Sequence, residues 1–364
     1  RIPLQRPQPE PGVVYHLELS FALAEAAPWA EAGHEVAWAQ LALPIAAAAP
    51  VLTTAGMPAV EVEDLGAVVE LRGADWSVAI SRRTGRIAWQ HHGRHVLKGG
   101  PRLALWRAPT DNDLNDSSEE RLAQRWREAG LDRLREAIRT VTVERLSAQA
   151  VRVAVRARLA APGCAAGVEA TLAYIILGSG DVLVDVEVVP DGELPPLPRV
   201  GLQMVVPGRY NTFTWLGRGP HEAYPDRQEG ARLGLYSGTV DAQYVPYIFP
   251  QENGAKAGVR WAALSSRAGE GLLVVGDEPL LVGALHYTTR DLELAAHTHE
   301  LTRRRDITLN VDHRHCGLGS AACGPGPLAR YLIMPEPMRF RLRLRPLARG
   351  DAPEVLARQA LHID

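Results

Sequence analysis

Cysteine is scarce: 364 residues hold three, Cys164, Cys316 and Cys323, at spacings that make no disulfide framework. Such usage fits a reducing compartment, and the chain is expected to be cytoplasmic. Charge of one sign is also lacking. Lys and Arg number 40 against 42 Asp and Glu, a formal net charge of −2, and the two signs are interspersed. Nothing in that balance calls for nucleic acid or another strongly charged partner. Long apolar runs are absent, since the Ala-rich run around Ile45 to Leu52 is bounded and broken by Pro44 and Pro50. No membrane segment is therefore expected. Arg1-Ile-Pro-Leu-Gln5 lacks the apolar core of a signal peptide and reads as a cut inside a longer polypeptide. Helix signals are nearly missing. The strong one is Ser117–Gly130, where Ser117 and Glu120 have capping-box spacing, Leu122, Trp126 and Ala129 share a face, and Gly130 gives the stop.

What the chain has in quantity is alternation of period two, the mark of half-buried strands. Val151, Val153, Val155, Ala157 and Leu159 alternate with Arg152, Arg156 and Arg158. Val182, Val184, Val186 and Val188 alternate with Leu183, Asp185 and Glu187, and Phe340, Leu342 and Leu344 with Arg339, Arg341, Arg343 and Arg345. The charged sides read as solvated sheet faces. Val68–Trp89 reads as strand, a turn at Thr84-Gly85, and strand. Many strands and one helix predict an all-β, mostly antiparallel fold. Val13, Tyr15, Leu17, Leu19 and Phe21, then Trp29, Ala37, Leu41 and Leu43, add strands too few to close a sandwich. The expected organisation is residues 1–47 as part of one sandwich, 48–62 as linker, 63–348 as a large β domain and 349–364 as a tail.

Three segments are too rich in Gly, Pro, charge and aromatics for ordinary connections. They are Trp106-Arg-Ala-Pro-Thr-Asp-Asn-Asp113, Trp215-Leu-Gly-Arg-Gly-Pro-His-Glu-Ala-Tyr-Pro-Asp-Arg227 and Tyr247-Ile-Phe-Pro-Gln-Glu-Asn-Gly254. The second reads as a loop in which Gly217, Gly219, Pro220 and Pro225 fix tight backbone geometry. In that order the three resemble the C-terminal small-chain domain of family 2 β-galactosidases, and the likeness covers nearly the whole chain. Pro11, Gly12, Tyr15, Trp29, Gly33 and His34 are similar to the final strands of the immunoglobulin-like sandwich that precedes it. The resemblance implies a large antiparallel β-supersandwich of the galactose mutarotase type behind an incomplete immunoglobulin-like β-sandwich.

A retaining glycosidase needs two carboxyl groups about 5–5.5 Å apart, and the family carries them on a (β/α)8 barrel. No stretch of this chain alternates strand and helix as a barrel requires. The resemblance therefore implies a part of a β-galactosidase without catalytic residues, completing the wall of the substrate pocket. Its partners would be the rest of the polypeptide and a β-galactoside, in a homo-oligomeric parent. Magnesium and a monovalent cation are implied for the barrel, and no cofactor for this chain.

Asp111, Asn112, Asp113 and Asn115 are candidates for the pocket rim, by hydrogen bonds to sugar hydroxyls or, equally, by capping and turn bonds. Trp106, closing the apolar run Leu103-Ala-Leu105, reads as core. In Cys316-Gly-Leu-Gly-Ser-Ala-Ala-Cys-Gly-Pro325 the best-known members carry a tryptophan that stacks on the aglycone sugar, where this chain has Cys323. Cys323 is thus either a small apolar rim contact or a buried thiol. His221, Glu222, Arg227, Glu252 and Asn253 read as a polar network pinning two loops. A zinc set of His313, His315, Cys316 and Cys323 lacks the paired Cys-x-x-Cys spacing. Two other functions use the same residue types. An aldose 1-epimerase would pair His221, His286, His297 or His299 with Glu222, Glu252 or Glu293 as acid and base, and a carbohydrate-binding or assembly module would bind sugar without turnover.

Overall fold

The computed structural model describes residues 6–115 and 121–362. The chain forms two compact units, Arg1–Thr53 with Glu354–Ile363, and Thr54–Pro353. In the first, β1 (Tyr15–Ala22) and β2 (Glu35–Leu43) form an antiparallel pair from Tyr15 opposite Leu43 to Ala22 opposite Glu35. Phe21, Trp29, Val36 and Leu41 are each at least half exposed, because two strands alone give an apolar face nothing to pack on. β3 (Val51–Thr53) pairs in parallel with Ala360–His362, so residues 51–53 of the stretch expected as linker and 360–362 of the stretch expected as tail form a ladder in this unit.

The second unit opens with an antiparallel meander of β4 (Glu61–Asp64), β5 (Val68–Arg72), β6 (Trp76–Ser81), β7 (Ile87–His91) and β8 (Arg94–Leu97). Val68–Trp89 therefore holds two strands ahead of the Thr84-Gly85 turn, where one was expected. The chain turns at Gly73, and a Cβ there would lie 2.3 Å from Trp76 Nε1.

Twelve strands make the larger sheet. They are β9 (Gly99–Ala104), β10 (Arg135–Arg145), β11 (Ala150–Ala160), β12 (Gly167–Leu177), β13 (Val182–Asp191), β14 (Arg199–Val206), β15 (Thr212–Gly219), β16 (Arg232–Thr239), β17 (Lys256–Ser265), β18 (Gly271–Leu285), β19 (Ile307–His315) and β20 (Met338–Leu347). The order is β10-β11-β12-β13-β20-β18-β17-β15-β16, with β9, β14 and β19 joined to it through β18. β18 ladders with β20 over Gly271–Gly276 and with β19 over Leu281–Leu285, and Asp277, Glu278 and Pro279 between them are exposed. One long strand so serves two ladders, and the sheet folds over itself as an antiparallel supersandwich. The only helices between β9 and β19 among the described residues are α1 (Asp111–Leu114), α2 (Leu122–Glu128), α3 (Thr289–Leu294) and short 3-10 turns.

The core holds Trp89, Trp126, Tyr174, Phe213 and Trp215, all at most 2% exposed. Val151, Val153, Val155, Ala157 and Leu159 face it from β11, and Val182, Val184, Val186 and Val188 from β13, as the alternation predicts. On the other side of β13 and β20, Asp185 pairs with Arg341 and Glu187 with Arg339 across the ladder. Arg343 departs from the expected solvated face. It is 4% exposed and lies 3.9 Å from fully buried Asp181, which Arg345 also reaches at 3.1 Å. A buried carboxylate keeps these cations close because unpaired it would be costly. In α2, Leu122 and Trp126 are buried and Gly130 adopts φ 76° past the helix end, as expected. The capping pair Ser117 and Glu120 lies outside the described residues, and Arg121 stands at the helix start. No described helix is long and apolar enough to cross a membrane.

Candidate functional site

β9 runs out at Ala104 and delivers Arg107 to the interior, where it has no exposed surface. Three residues later Thr110 caps α1: Thr110 Oγ1 accepts from the Asp113 N–H, and the Asp113 carboxylate accepts from the Thr110 N–H at 2.8 Å. This reciprocal cap satisfies two N–H groups at the helix start. It also presents the Asp113 carboxylate to Arg107, whose Nε and Nη2 donate to it at 3.1 and 2.6 Å. Asp113 is thus 2% exposed with both oxygens engaged, so it braces the segment from inside and has no free surface of its own.

Arg107 also donates to the carbonyls of Cys316 at 2.7 Å and Gly317 at 3.1 Å. The Gly-rich segment after β19 is therefore gripped from the first segment. Asn112 donates to Gly319 O and accepts from Ala322 N, each at 2.8 Å, and Asn115 donates to Ala321 O. The grip from the opposite side is Asp226, which accepts the N–H groups of Leu318 at 2.9 Å and Gly319 at 2.7 Å. Gly317 is required by this closeness, since a Cβ there would meet Asp226 Oδ2 at 2.7 Å.

Asp226 belongs to the run Trp215–Arg227, only part of which is a loop. Trp215–Gly219 finishes β15, and Gly217 serves close strand packing, because a Cβ would lie 2.8 Å from Val259 Cγ2. The loop begins at Pro220, whose carbonyl accepts from Lys256 Nζ at 3.0 Å. Lys256 is 2% exposed with its ammonium over the Trp215 ring, and burial pulls it down to about 8 against the opposing pull of Glu222. Glu222 accepts from Arg227, the Tyr247 hydroxyl and, at 2.7 Å, the Gly254 N–H. Asn253 accepts from Val245 N and donates to Gln251 O, and Gln251 Nε2 donates to Asp111.

Beneath these loops Arg199 of β14 and Asp312 of β19, both without exposed surface, make a bidentate pair, and Glu252 approaches the same guanidinium at 3.5 Å. Sharing one cation, Glu252 is held less firmly than Asp312, and burial pushes its carboxyl up. His315 Nδ1 lies 2.8 Å from the Cys316 carbonyl and so carries the proton there, leaving Nε2 buried without a partner. Burial and the two arginines hold this imidazole well below its usual range, so it is neutral. The Tyr224 hydroxyl is likewise buried without a partner, 5.4 Å separating the Tyr224 and His315 rings.

The structure thus brings Asn112 and Asn115 directly, and Asp113 through Arg107, to the segment that carries Cys323, while Asp111 meets Gln251; it joins Glu222, Arg227 and, through the 251–254 turn, Asn253. Glu252 sits with Arg199 below them, and His221 is exposed outside the network. Cys323 is exposed, which excludes the buried-thiol reading. His313, His315, Cys316 and Cys323 do not converge. His313 stacks on Phe340 and faces Glu278, whereas His315 faces Cys316 and Tyr224. Trp106 is half-buried, with its Nε1 on Glu293, and lines a cavity of about 590 Å³ with Arg102, Glu136 and Gln203. The epimerase histidines do not face that cavity: His286 bonds to Asn211, and His297 to Glu300. Arg107 and Asp226 lay inside the recognised motifs without a role in the sequence reading. Arg199 and Asp312 carry no signal, being charges in strands far apart in sequence.

Residues 72–344 match the model of the β-galactosidase small chain, and residues 1–44 that of β-galactosidase domain 4. The chain is 34% identical over 304 residues to a β-galactosidase of Priestia megaterium, covering 83% of this chain and 28% of that protein. With a β-galactosidase of Vibrio cholerae it shares 34% over 342 residues, covering 91% and 32%. It thus spans about a third of the length of the curated relatives it matches. Among solved structures it is similar to a putative aldose 1-epimerase from Escherichia coli, at 10% identity and TM-score 0.41 over 79% of this chain and 99% of that one, a likeness too slight to speak to chemistry. The matched region contains all the interlocked segments, Trp106–Asp113, Trp215–Arg227, Tyr247–Gly254 and Cys316–Pro325, and the chain belongs to the β-galactosidase small-chain family.

Proposed function

We propose that this chain works as the small-chain portion of a family 2 β-galactosidase, which hydrolyses terminal β-galactose from β-galactosides, and that it shapes the rim of the substrate pocket without supplying catalytic groups. The observation that carries this is the double grip on the segment 316–322, by Arg107, Asn112 and Asn115 on one side and Asp226 on the other. So many fixed backbone contacts hold a surface segment in one shape, as a pocket wall must be held. The half-exposed Phe21, Trp29, Val36 and Leu41 support packing against the remainder of a longer polypeptide. In this reading the catalytic glutamates, the magnesium and the monovalent cation belong to a barrel outside this chain. The parent acts in the cytoplasm as a homo-oligomer.

The test is to assay a nitrophenyl β-galactoside with this chain, with the barrel-bearing remainder of the same polypeptide, and with the two mixed. Hydrolysis is expected from the mixture and not from this chain. Turnover by this chain alone that survives repurification and is lost in Glu222→Gln would overturn the reading.

A further inference from the structure

We infer that Asp75, His91 and His92 form a binding site for a borderline divalent transition-metal ion of the zinc type, remote from the rim segments. This departs from the expectation that the chain carries no metal. The three residues sit on two neighbouring turns. Asp75 ends the turn between β5 and β6, and His91 and His92 lie where β7 turns into β8. Trp76 pairs with His91 across the ladder, and the His92 N–H donates to the Asp75 carbonyl at 2.6 Å, so the backbone fixes the turns against each other.

Two successive residues of a strand point to opposite faces. Here they do not, because His92 adopts φ 47° and Gly93 φ 70°, the two positive values of a tight hairpin turn closed by His91 opposite Arg94. Asn-Gly is the usual pair for that geometry. The histidine in its place swings its ring onto the side of His91, with centroids 4.2 Å apart.

Asp75 Oδ2 then lies 3.5 Å from both His91 Nε2 and His92 Nε2, and the three donor atoms are all within 4.8 Å of one another. For N–H···O hydrogen bonds 3.5 Å is long, the usual range being about 2.7–3.2 Å. It is close to the spacing of donors around a tetrahedral ion, about 3.3 Å for bonds of about 2.0–2.1 Å. Two imidazoles and one carboxylate suit zinc, cobalt, nickel or copper, and suit magnesium and calcium poorly, since those take oxygen donors. His92 and Asp75 are 60% and 45% exposed at the side chain, which leaves the remaining coordination positions to water and gives the ion a way in.

The experiment is calorimetric titration of the metal-stripped full chain with zinc chloride, with cobalt(II) absorption as a readout of tetrahedral geometry. The wild type is expected to bind one equivalent at this trio and to melt at a higher temperature with zinc than without it. His92→Asn keeps a residue that accepts the left-handed turn and removes the imidazole. It and Asp75→Asn are each expected to weaken binding by at least about tenfold, and to melt like the wild type in chelator. Unchanged affinity in both variants overturns the site. So does loss of binding in His297→Gln or Cys323→Ser with full binding in His92→Asn, or no binding by the wild type up to about 1 mM zinc.

Discussion

Arg199 holds Asp312 through two nitrogens, Nε at 3.1 Å and Nη2 at 2.6 Å, and neither side chain has exposed surface. Removing the charge of Asp312 leaves the buried guanidinium only the more distant carboxylate of Glu252, which costs about 3–5 kcal/mol. Asp312→Asn is therefore expected to lower the urea midpoint strongly. Glu252→Gln, at the same guanidinium, is expected to cost about 1 kcal/mol or less. Burial raises the folded pKa of Glu252 above 4.5, so the folded state holds its proton more firmly than the unfolded chain does. The wild type loses that advantage as pH rises above 4.5 through the folded value, and the glutamine variant does not. Paired urea titrations at pH 4.5 and pH 7 check this, and equal losses in the two variants would contradict it.

Lys256 gives a pH dependence of the other sign. Its folded pKa of about 8 lies below 10.5, so between those values the unfolded chain binds more protons and stability from this residue rises with pH. Lys256→Met removes the rise. The difference between wild type and variant, followed by chemical unfolding from pH 7.5 to 10.5, is expected to move toward the wild type as pH increases.

Asp226 holds two N–H groups of the Gly-rich segment. Asp226→Ala is expected to destabilise by about 2 kcal/mol, as loss of bonds to a charged acceptor does. Amide exchange of Leu318 and Gly319 should speed up, while that of the β11–β12 ladder, distant in the sheet order, stays as it is.

Gly217 sits in a strand against the backbone of Val259, whose Cα would be 2.9 Å from an added Cβ. Gly217→Ala is expected to cost about 1–3 kcal/mol by overpacking, because backbone cannot rotate aside. A thermal melt of the variant checks it.

Cys323 is exposed, and Cys316 is buried with its thiol pushed up to about 11. A disulfide reagent should label Cys323 in the native chain and Cys316 only after unfolding. Under the proposed function, Cys323→Trp in the full-length polypeptide is expected to raise acceptor-sugar affinity by about five- to tenfold, or on the order of 1 kcal/mol. That reads out as more transfer relative to hydrolysis with lactose, and as little change with a nitrophenyl galactoside.

Legibility followed the range of the interactions. Periodicity marked β11, β13 and β20, since a half-buried strand must alternate. The wide motifs point to the segments that interlock in the structure. The Thr110–Asp113 cap went unassigned because Asp113 also fits a turn or a sugar contact, and its choice depends on Arg107 arriving from β9. Gly217 and Gly219 read as turn residues, because sequence alone does not distinguish a glycine that bends the chain from one that lets another strand come close.

By itself the sequence determined the all-β class, the family and the core-facing residues of the long strands, because these follow from local alternation and from contiguous motifs. Only the tertiary structure decided that Arg199 meets Asp312 across 113 residues of sequence, that Asp226 reaches Gly319 and that Arg343 turns inward to Asp181. A charged side chain written in one strand carries no mark of its partner. Whether it is solvated or buried is settled by the opposite charge that folding places beside it, and by the cost of leaving either one dry and alone.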